Sequence, residues 1–151
     1  MRWKWGHISS GVVKVHFSSS AMNYRESIAY CAKNEAYLAE VTSEEDRLFF
    51  RDLLTHFTSN KTVLPDIWLG HLFDSQNSVW TKKSDGTVIK WKGWMMYSTG
   101  DHDFPFLSSE IGVFKDKDEQ LVSTSKHFFC IKYFPASPFR NILKGNNFIL
   151  S

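Results

Sequence analysis

A series of tryptophan motifs, enclosed by the only two cysteines of the chain, constrains what this sequence can fold into. The cysteines are Cys31 and Cys130. The motifs between them are, in chain order, Trp68-Leu69-Gly70, Trp80, Asp85-Gly86, Trp91 and Trp94. Tryptophans at this spacing, separated by turn residues, indicate a small aromatic sheet with a long irregular connection. This arrangement favours a binding scaffold over an enzyme.

Composition and charge exclude several classes of protein. The 151 residues suit one domain with its own core, and 42% of them are hydrophobic and 16% aromatic. The net charge of +2 is not concentrated in any run of Lys or Arg, which argues against nucleic acid or a membrane surface as partner. No stretch of about 18 apolar residues occurs, so the sequence predicts no membrane span. The first residues lack the apolar core of a signal peptide, which leaves a removed signal, a fragment of a longer protein or an intracellular protein as alternatives.

The first half of the chain predicts one strand and two helices. Residues 11–17 alternate apolar and polar side chains, as a half-buried strand does. A helix is expected after Asn23, which forms a variant of the capping box with Glu26 and leads to Cys31 on the apolar face. A second helix is expected after Thr42 or Ser43, because three acidic residues follow and favour the positive end of the helix dipole.

After Pro65 the hydrophobic period changes from that of a helix to that of a strand. Short strands are expected at residues 67–69, 79–80, 88–91, 111–114 and 127–133. The segment 97–110 is too long for an ordinary connection and is expected to be a functional loop. The predicted fold class is α+β, with two helices packed on twisted, mainly antiparallel sheets. The domain is expected to span residues 11–134, between an N-terminal extension (1–10) and a C-terminal tail (135–151).

In this order and spacing, the motifs resemble those of the C-type lectin-like domain. The matching segments are, along the chain, Met22-Asn23-Tyr24, Tyr37-Leu38-Ala39-Glu40-Val41, Trp68-Leu69-Gly70, Trp80, Asp85-Gly86, Trp91 to Trp94, and Phe128-Phe129-Cys130-Ile131-Lys132. The resemblance implies a disulfide between Cys31 and Cys130, although the residues alone also allow two buried free thiols. It also implies a secreted protein or a receptor ectodomain that recognises a ligand without catalysis.

The departures from the family pattern concern a second disulfide and calcium. Gly112 stands where the family's second disulfide would begin, and no cysteine lies between residues 121 and 127. Sugar-binding members hold calcium with a Glu-Pro-Asn or Gln-Pro-Asp triplet and a Trp-Asn-Asp triplet. The corresponding segments here are Phe104-Pro105-Phe106 and Leu121-Val122-Ser123. Calcium requires six to eight oxygen ligands, so the usual calcium site is expected to be absent, and no cofactor or metal is predicted.

The candidate contact surface is the long loop with its neighbours. Aromatic anchors are expected at Trp94, Phe104 and Phe106, and polar contacts at Asp101, Asp103 and Glu110. The plainer alternatives are a core position for Trp94 and a solvated loop face for the acidic residues. The expected ligand is a protein or a glycan.

Two other functions remain open at this stage. One is a calcium-dependent lectin with a rearranged site made of Asp101, Asp103 and Glu110. The other is a structural module inside a larger protein. Neither a histidine pair at zinc-binding spacing nor a nucleophile–base set is present, so no catalytic residue is predicted.

The sequon Asn60-Lys61-Thr62 lies in a polar connection and predicts glycosylation of an exposed Asn60 in a eukaryotic secretory host.

Overall fold

The computed structural model describes residues 2–59, 64–91, 104–108, 113–117 and 124–134. These residues form two helices and nine strands. In chain order the elements are β1 (Lys4–Ile8), β2 (Gly11–Phe17), α1 (Tyr24–Lys33), β3 (Tyr37–Leu38), α2 (Glu44–Phe57), β4 (Ile67–Trp68), β5 (His71–Asp74), β6 (Val79–Lys82), β7 (Phe104–Ser108), β8 (Val113–Lys117) and β9 (His127–Tyr133). None of the helices in the described ranges has both the length and the apolar composition that a bilayer span requires.

The main sheet is organised around β9, the last strand. Its strand order is β1-β2-β9-β4-β7-β8, and β3 also pairs with β9. β9 runs antiparallel to β2 and β3 and parallel to β4, and the β4–β7 and β7–β8 pairs are antiparallel. A separate antiparallel ribbon joins β5 to β6. The prediction of an α+β fold with mainly antiparallel sheets is confirmed.

Both helices begin where the sequence predicts. The Asn23 side chain accepts a hydrogen bond from the Glu26 amide at 2.8 Å, and Glu26 accepts one from the Asn23 amide at 3.1 Å, which completes a capping box. Ser43 caps α2 by accepting from the Asp46 amide at 3.1 Å. These caps satisfy amides that a helix leaves unpaired in its first turn.

The helices bury one face each against the sheet. α1 directs Tyr24 and Cys31 into a cluster with Trp68 and Phe128, while α2 directs Phe50 into a second cluster. The second cluster also contains Trp80, Phe129 and Ile131. Because β9 contributes to both clusters, its two faces join the two parts of the core.

A disulfide links the first helix to the last strand. Cys31 in α1 is bonded to Cys130 in β9, and both residues are completely buried. The disulfide implied by the family resemblance is therefore confirmed. The bond closes a loop of 99 residues, so it restricts the unfolded chain strongly.

A buried aspartate attaches α2 to the turn between β1 and β2. Asp46 has no exposed surface and accepts hydrogen bonds from the Ser9 amide at 2.7 Å and the Ser9 hydroxyl at 2.8 Å. It also accepts from the Thr42 amide and hydroxyl at 3.0 and 3.1 Å. The sequence suggested only a favourable charge at the helix start. Its burial depends on a turn distant in the sequence, which helix periodicity does not reveal.

Several expected element boundaries differ from the structure. Residues 88–91 form no strand, because Val88 makes only an isolated bridge to Thr81 and Ile89 donates one further bond to the Trp80 carbonyl. The expected loop 97–110 contains the strand β7, and the strand expected at 111–114 is β8, which begins at Val113. The tail 135–151 lies outside the described residues.

The N-terminal segment 1–10 contributes a strand to the sheet. β1 pairs along β2 from Lys4↔Val15 to Ile8↔Gly11, and Ile8 is 3% exposed in the core. The sequence set this segment apart as an extension, because the expected domain began with the strand at residues 11–17. In the structure the apolar partner surface comes from β2 and α2.

The disulfide gives a direct test of this architecture. We expect a Cys31→Ser/Cys130→Ser variant to lose about 4 to 5 kcal/mol in free energy of unfolding, because the unfolded chain regains the entropy of a long open loop. Each single variant should lose a similar amount, since either one removes the bond. Urea denaturation measures these losses. Two free thiols in a non-reduced digest of protein made in an oxidising compartment, found by mass spectrometry, would contradict the pairing.

Candidate binding surfaces

Most of the residues expected to contact a ligand lie outside the described part of the chain. These are Trp94, Asp101, Asp103 and Glu110 in the long connection, together with the glycosylation candidate Asn60. Phe104 is the first residue of β7. For Asn60 and the four residues of the long connection, the assigned roles remain predictions.

The expectation that Phe106 is an exposed loop anchor is wrong. Phe106 lies on β7, is 2% exposed, and meets Trp68 edge-to-face with ring centroids 6.2 Å apart. The neighbouring Pro105 carbonyl accepts a hydrogen bond from the Leu69 amide at 3.0 Å. An alternating Phe-Pro-Phe segment is compatible with either a loop or a strand, and pairing with β4 decides between them.

This placement also changes the comparison with the calcium triplets. Phe104-Pro105-Phe106 is part of a hydrogen-bonded strand, so it is not a loop segment that could encircle an ion. The described residues contain no group of three or more Asp, Glu, His or Cys side chains suited to a metal. Gly112 and Leu121-Val122-Ser123 lie outside the described ranges.

The segment 92–103 is bounded on both sides by residues fixed to the core. On the N-terminal side, Ile89 is 5% exposed and donates to the Trp80 carbonyl at 2.8 Å. On the C-terminal side, β7 is paired between β4 and β8. Proteins commonly place binding residues on a segment whose flanking residues are fixed to a packed scaffold.

A buried carboxylate, Glu40, lies behind a cavity of about 330 Å³ whose lining includes its hydrogen-bond donors Ser84 and Tyr133. Glu40 is 1% exposed and accepts hydrogen bonds from the Ser84 amide (2.8 Å), the Ser84 hydroxyl (2.6 Å) and the Tyr133 hydroxyl (2.7 Å). Burial raises the pKa of Glu40 above its ordinary value of 4.5, against the opposing effect of these donors and of Lys82. Its donors come from β9 and from the turn after β6, so Glu40 holds those two parts together.

A buried histidine has a similar structural role. His71 is 1% exposed, and its Nε2 accepts a hydrogen bond from the Val41 amide at 3.0 Å. Burial lowers the pKa of His71 to about 3, with a smaller contribution from the Lys82 charge. The imidazole is therefore neutral at physiological pH, as an acceptor from an amide must be. The sequence gave no sign of this role for His71.

Two further surfaces were missed by sequence reasoning. One is an apolar depression of about 470 Å³ whose lining includes Phe17, Phe57 and His127. The other is the outer face of β1, β2 and β9, which presents tryptophans beside lysines, with Trp5 45% exposed. The alternating Trp3-Lys4-Trp5 sequence was a signal for a strand with one aromatic face.

The raised pKa of Glu40 predicts a specific dependence of stability on pH. A carboxyl that holds its proton more tightly when folded contributes stability below pH 4.5, and this contribution is lost as the pH rises through the folded pKa. The free energy of unfolding of Glu40→Gln minus that of the wild type should therefore increase with pH above 4.5. Chemical denaturation across this range measures the difference. Glu45→Gln, on the exposed first turn of α2, controls for net charge, and a difference that stays flat or falls would contradict the expectation.

Comparison with known proteins rests on the fold alone. No protein-family model matches the sequence, and no curated protein matches it significantly. Solved structures match along most of the chain. The structure of SPL-1 in complex with GlcNAc has a TM-score of 0.65 at 20% identity, covering 85% of this chain and 91% of that one.

Two other similar structures extend the comparison. The carbohydrate-recognition domain of the mouse scavenger receptor C-type lectin has a TM-score of 0.60 at 19% identity, with 89% of this chain and 97% of that one covered. A calcium-independent type II antifreeze protein has a TM-score of 0.60 at 19% identity, with 85% and 90% covered. The order of helices and strands and the disulfide between α1 and β9 are consistent with the fold of these similar structures. The chain has a divergent C-type lectin-like fold.

Proposed function

We propose that the protein is a non-catalytic recognition module that binds a protein or a glycan without calcium. The contact surface is the connection after Trp91, with Trp94, Asp101, Asp103 and Glu110, together with Phe104 at the start of β7. The observation that carries this proposal is that the residues on both sides of the segment 92–103 are fixed: Ile89 is buried and bonded to β6, and β7 pairs with β4 and β8. A fixed base lowers the entropy cost of ordering a binding segment.

The similar structures support recognition of a ligand as the class of function. SPL-1 is seen with GlcNAc, and the mouse scavenger receptor domain is a carbohydrate-recognition domain. The antifreeze protein is described as calcium-independent. Since one fold supports many functions, these likenesses favour a binding role without identifying its ligand.

We propose no catalytic activity because two buried acid–base side chains with shifted pKa values have structural roles. Glu40 and His71 have shifted pKa values, which often marks active sites. Here each is buried and hydrogen-bonded to groups that hold the fold together. Such groups stabilise local structure and are not presented to a substrate.

A secreted or cell-surface location is part of the proposal. The disulfide between Cys31 and Cys130 supports it, because disulfides persist mainly in oxidising compartments. Glycosylation at Asn60 would be consistent with the same route. The proposed protein is thus a secreted factor or the ectodomain of a receptor.

The test of this function is binding to glycan and cell-surface protein arrays with calcium and with chelator. We expect at least one ligand to be retained in chelator with less than about a twofold change in affinity, because no calcium is required to shape the site. Trp94→Ala should weaken that binding at least tenfold, whereas Trp5→Ala, a change on β1 outside the proposed surface, should leave it unchanged.

The competing calcium-dependent lectin predicts the opposite pattern. Binding that disappears in chelator, and that is also lost in Asp101→Asn/Asp103→Asn, would contradict the proposal. Binding to no ligand on either array would also contradict it and favour a structural module.

A further inference from the structure

The outer face of β1, β2 and β9 carries two lysines among aromatic rings. Trp5, Lys14 and Lys132 lie side by side across the three strands, since Trp5 pairs with Lys14 and Lys14 pairs with Lys132. The opposite faces of β2 and β9 carry Val13, Val15 and Ile131 in the core. The lysine row lies on the other side of these strands, next to the cluster under α1 that contains Cys130 and Phe128 and against which Trp3 packs.

Each ammonium on this face lies over an aromatic ring. Lys14 Nζ is 4.7 Å from the centre of the Trp5 ring and 5.4 Å from that of Phe134. Lys132 Nζ is 4.8 Å from the centre of the Trp3 ring. These contacts hold the lysine side chains along the sheet, where each is presented next to a flat apolar surface.

The two lysines face each other without a neutralising carboxylate. Lys14 and Lys132 are directly opposite partners on antiparallel strands, where like charges destabilise a sheet. Within the described residues, the ion pairs involve Arg47, Lys82 and Lys126, and neither lysine of the row takes part in one. The stability of the sheet alone does not explain this pair, because an acidic residue at either position would be more favourable.

Acidic residues are also missing from both outer segments of the sequence. All 16 Asp and Glu residues lie between positions 26 and 119, so the segments 1–25 and 120–151 carry none. Those two segments contain eight Lys and Arg residues. β1 and β2 come from the first segment and β9 from the second, and pairing of β2 with β9 brings the two together. The sequence shows no basic run because Lys14 and Lys132, which this pairing places opposite each other, are far apart in the chain.

We propose that this face, which we call the lysine–tryptophan face (Trp3, Trp5, Lys14, Lys132 and Phe134), binds acidic glycans, meaning sulfated or carboxylated oligosaccharides. Sulfate or carboxylate groups would neutralise the opposed ammonium groups, and the apolar face of a sugar ring would pack on the exposed tryptophan. The face uses residues of β1 and β2, the end of β9 and their neighbours, and none from the connection after Trp91, so the inference does not depend on the loop site proposed above.

The arrangement of rings and charges favours a glycan over other polyanions. Ring and ammonium alternate within about 5 Å, a separation that one sugar unit with one acidic substituent can bridge. The surface is part of a paired sheet, so Lys14 and Lys132 sit on strands whose backbone groups are already used by their neighbours. An acidic peptide could therefore add a strand along the edge strand β1 but not at Lys14 and Lys132 themselves, where both opposed charges lie.

The test measures binding of a size-defined heparin oligosaccharide by titration calorimetry over a range of salt concentrations. Lys14→Gln/Lys132→Gln should lower the affinity at least about tenfold and make its salt dependence shallower, because two cations are lost. Trp5→Ala should also lower the affinity but leave the salt dependence as it is, because it removes packing and no charge. Lys14→Arg/Lys132→Arg should retain binding.

Controls separate this proposal from the loop site and from non-specific attraction. Lys90→Gln removes an exposed lysine distant from the face and should leave the affinity unchanged, as should Trp94→Ala. Loss of binding in Trp94→Ala with no loss in the lysine variant would overturn the proposal. Equal affinity for polyglutamate, single-stranded DNA or phosphatidylserine vesicles would also overturn it, since the face would then bind polyanions without regard to sugar. If the melting temperature of Lys14→Gln/Lys132→Gln falls, Lys14→Arg/Lys132→Arg replaces it as the test. A stable Arg variant that does not bind the oligosaccharide would show that the proposal is wrong.

Discussion

Pairing of β9 with three other strands is the constraint on which the rest of the structure depends. β9 joins β2, β3 and β4, and its residue Cys130 is bonded to α1. Phe128 packs in the cluster under α1, and Phe129 packs in the cluster under α2. A strand near the end of the chain thus fixes the positions of elements from its beginning and middle. These contacts span long sequence separations, so their entropy cost is large and the disulfide offsets part of it.

Buried polar groups complete this arrangement at the edges of the core. Asp46 holds the β1–β2 turn against α2, while Glu40 holds β9 against the turn after β6. Each carboxylate accepts several hydrogen bonds, which is the condition under which burial of such a group is tolerated. The residues that flank the connection after Trp91 and the strands of the lysine–tryptophan face are therefore fixed from several sides. Two separate surfaces for ligands are compatible with one rigid core.

Local signals in the sequence predicted what depends on local structure. The caps at Asn23 and Ser43 and the apolar faces of the helices follow from side chains within a few residues of each other. The family resemblance supplied the disulfide. What the sequence could not provide were features created by distant contacts. Asp46 resembled an ordinary acidic residue of a first helical turn, and Phe106 resembled a loop anchor until its pairing with β4 was known. The charge on the outer face escaped notice because its strands come from opposite ends of the chain.

β9 holds the fold together, and we propose that it does so without calcium. Native-state hydrogen exchange, followed by mass spectrometry or NMR in chelator, tests it most directly. The amides of residues 128–131, within β9, should exchange most slowly and only through global unfolding, because they lie in the middle of the sheet beside the disulfide. Addition of millimolar calcium should leave their rates unchanged. Faster exchange in β9 than in α2, or slow exchange in β9 only when calcium is present, would contradict this account.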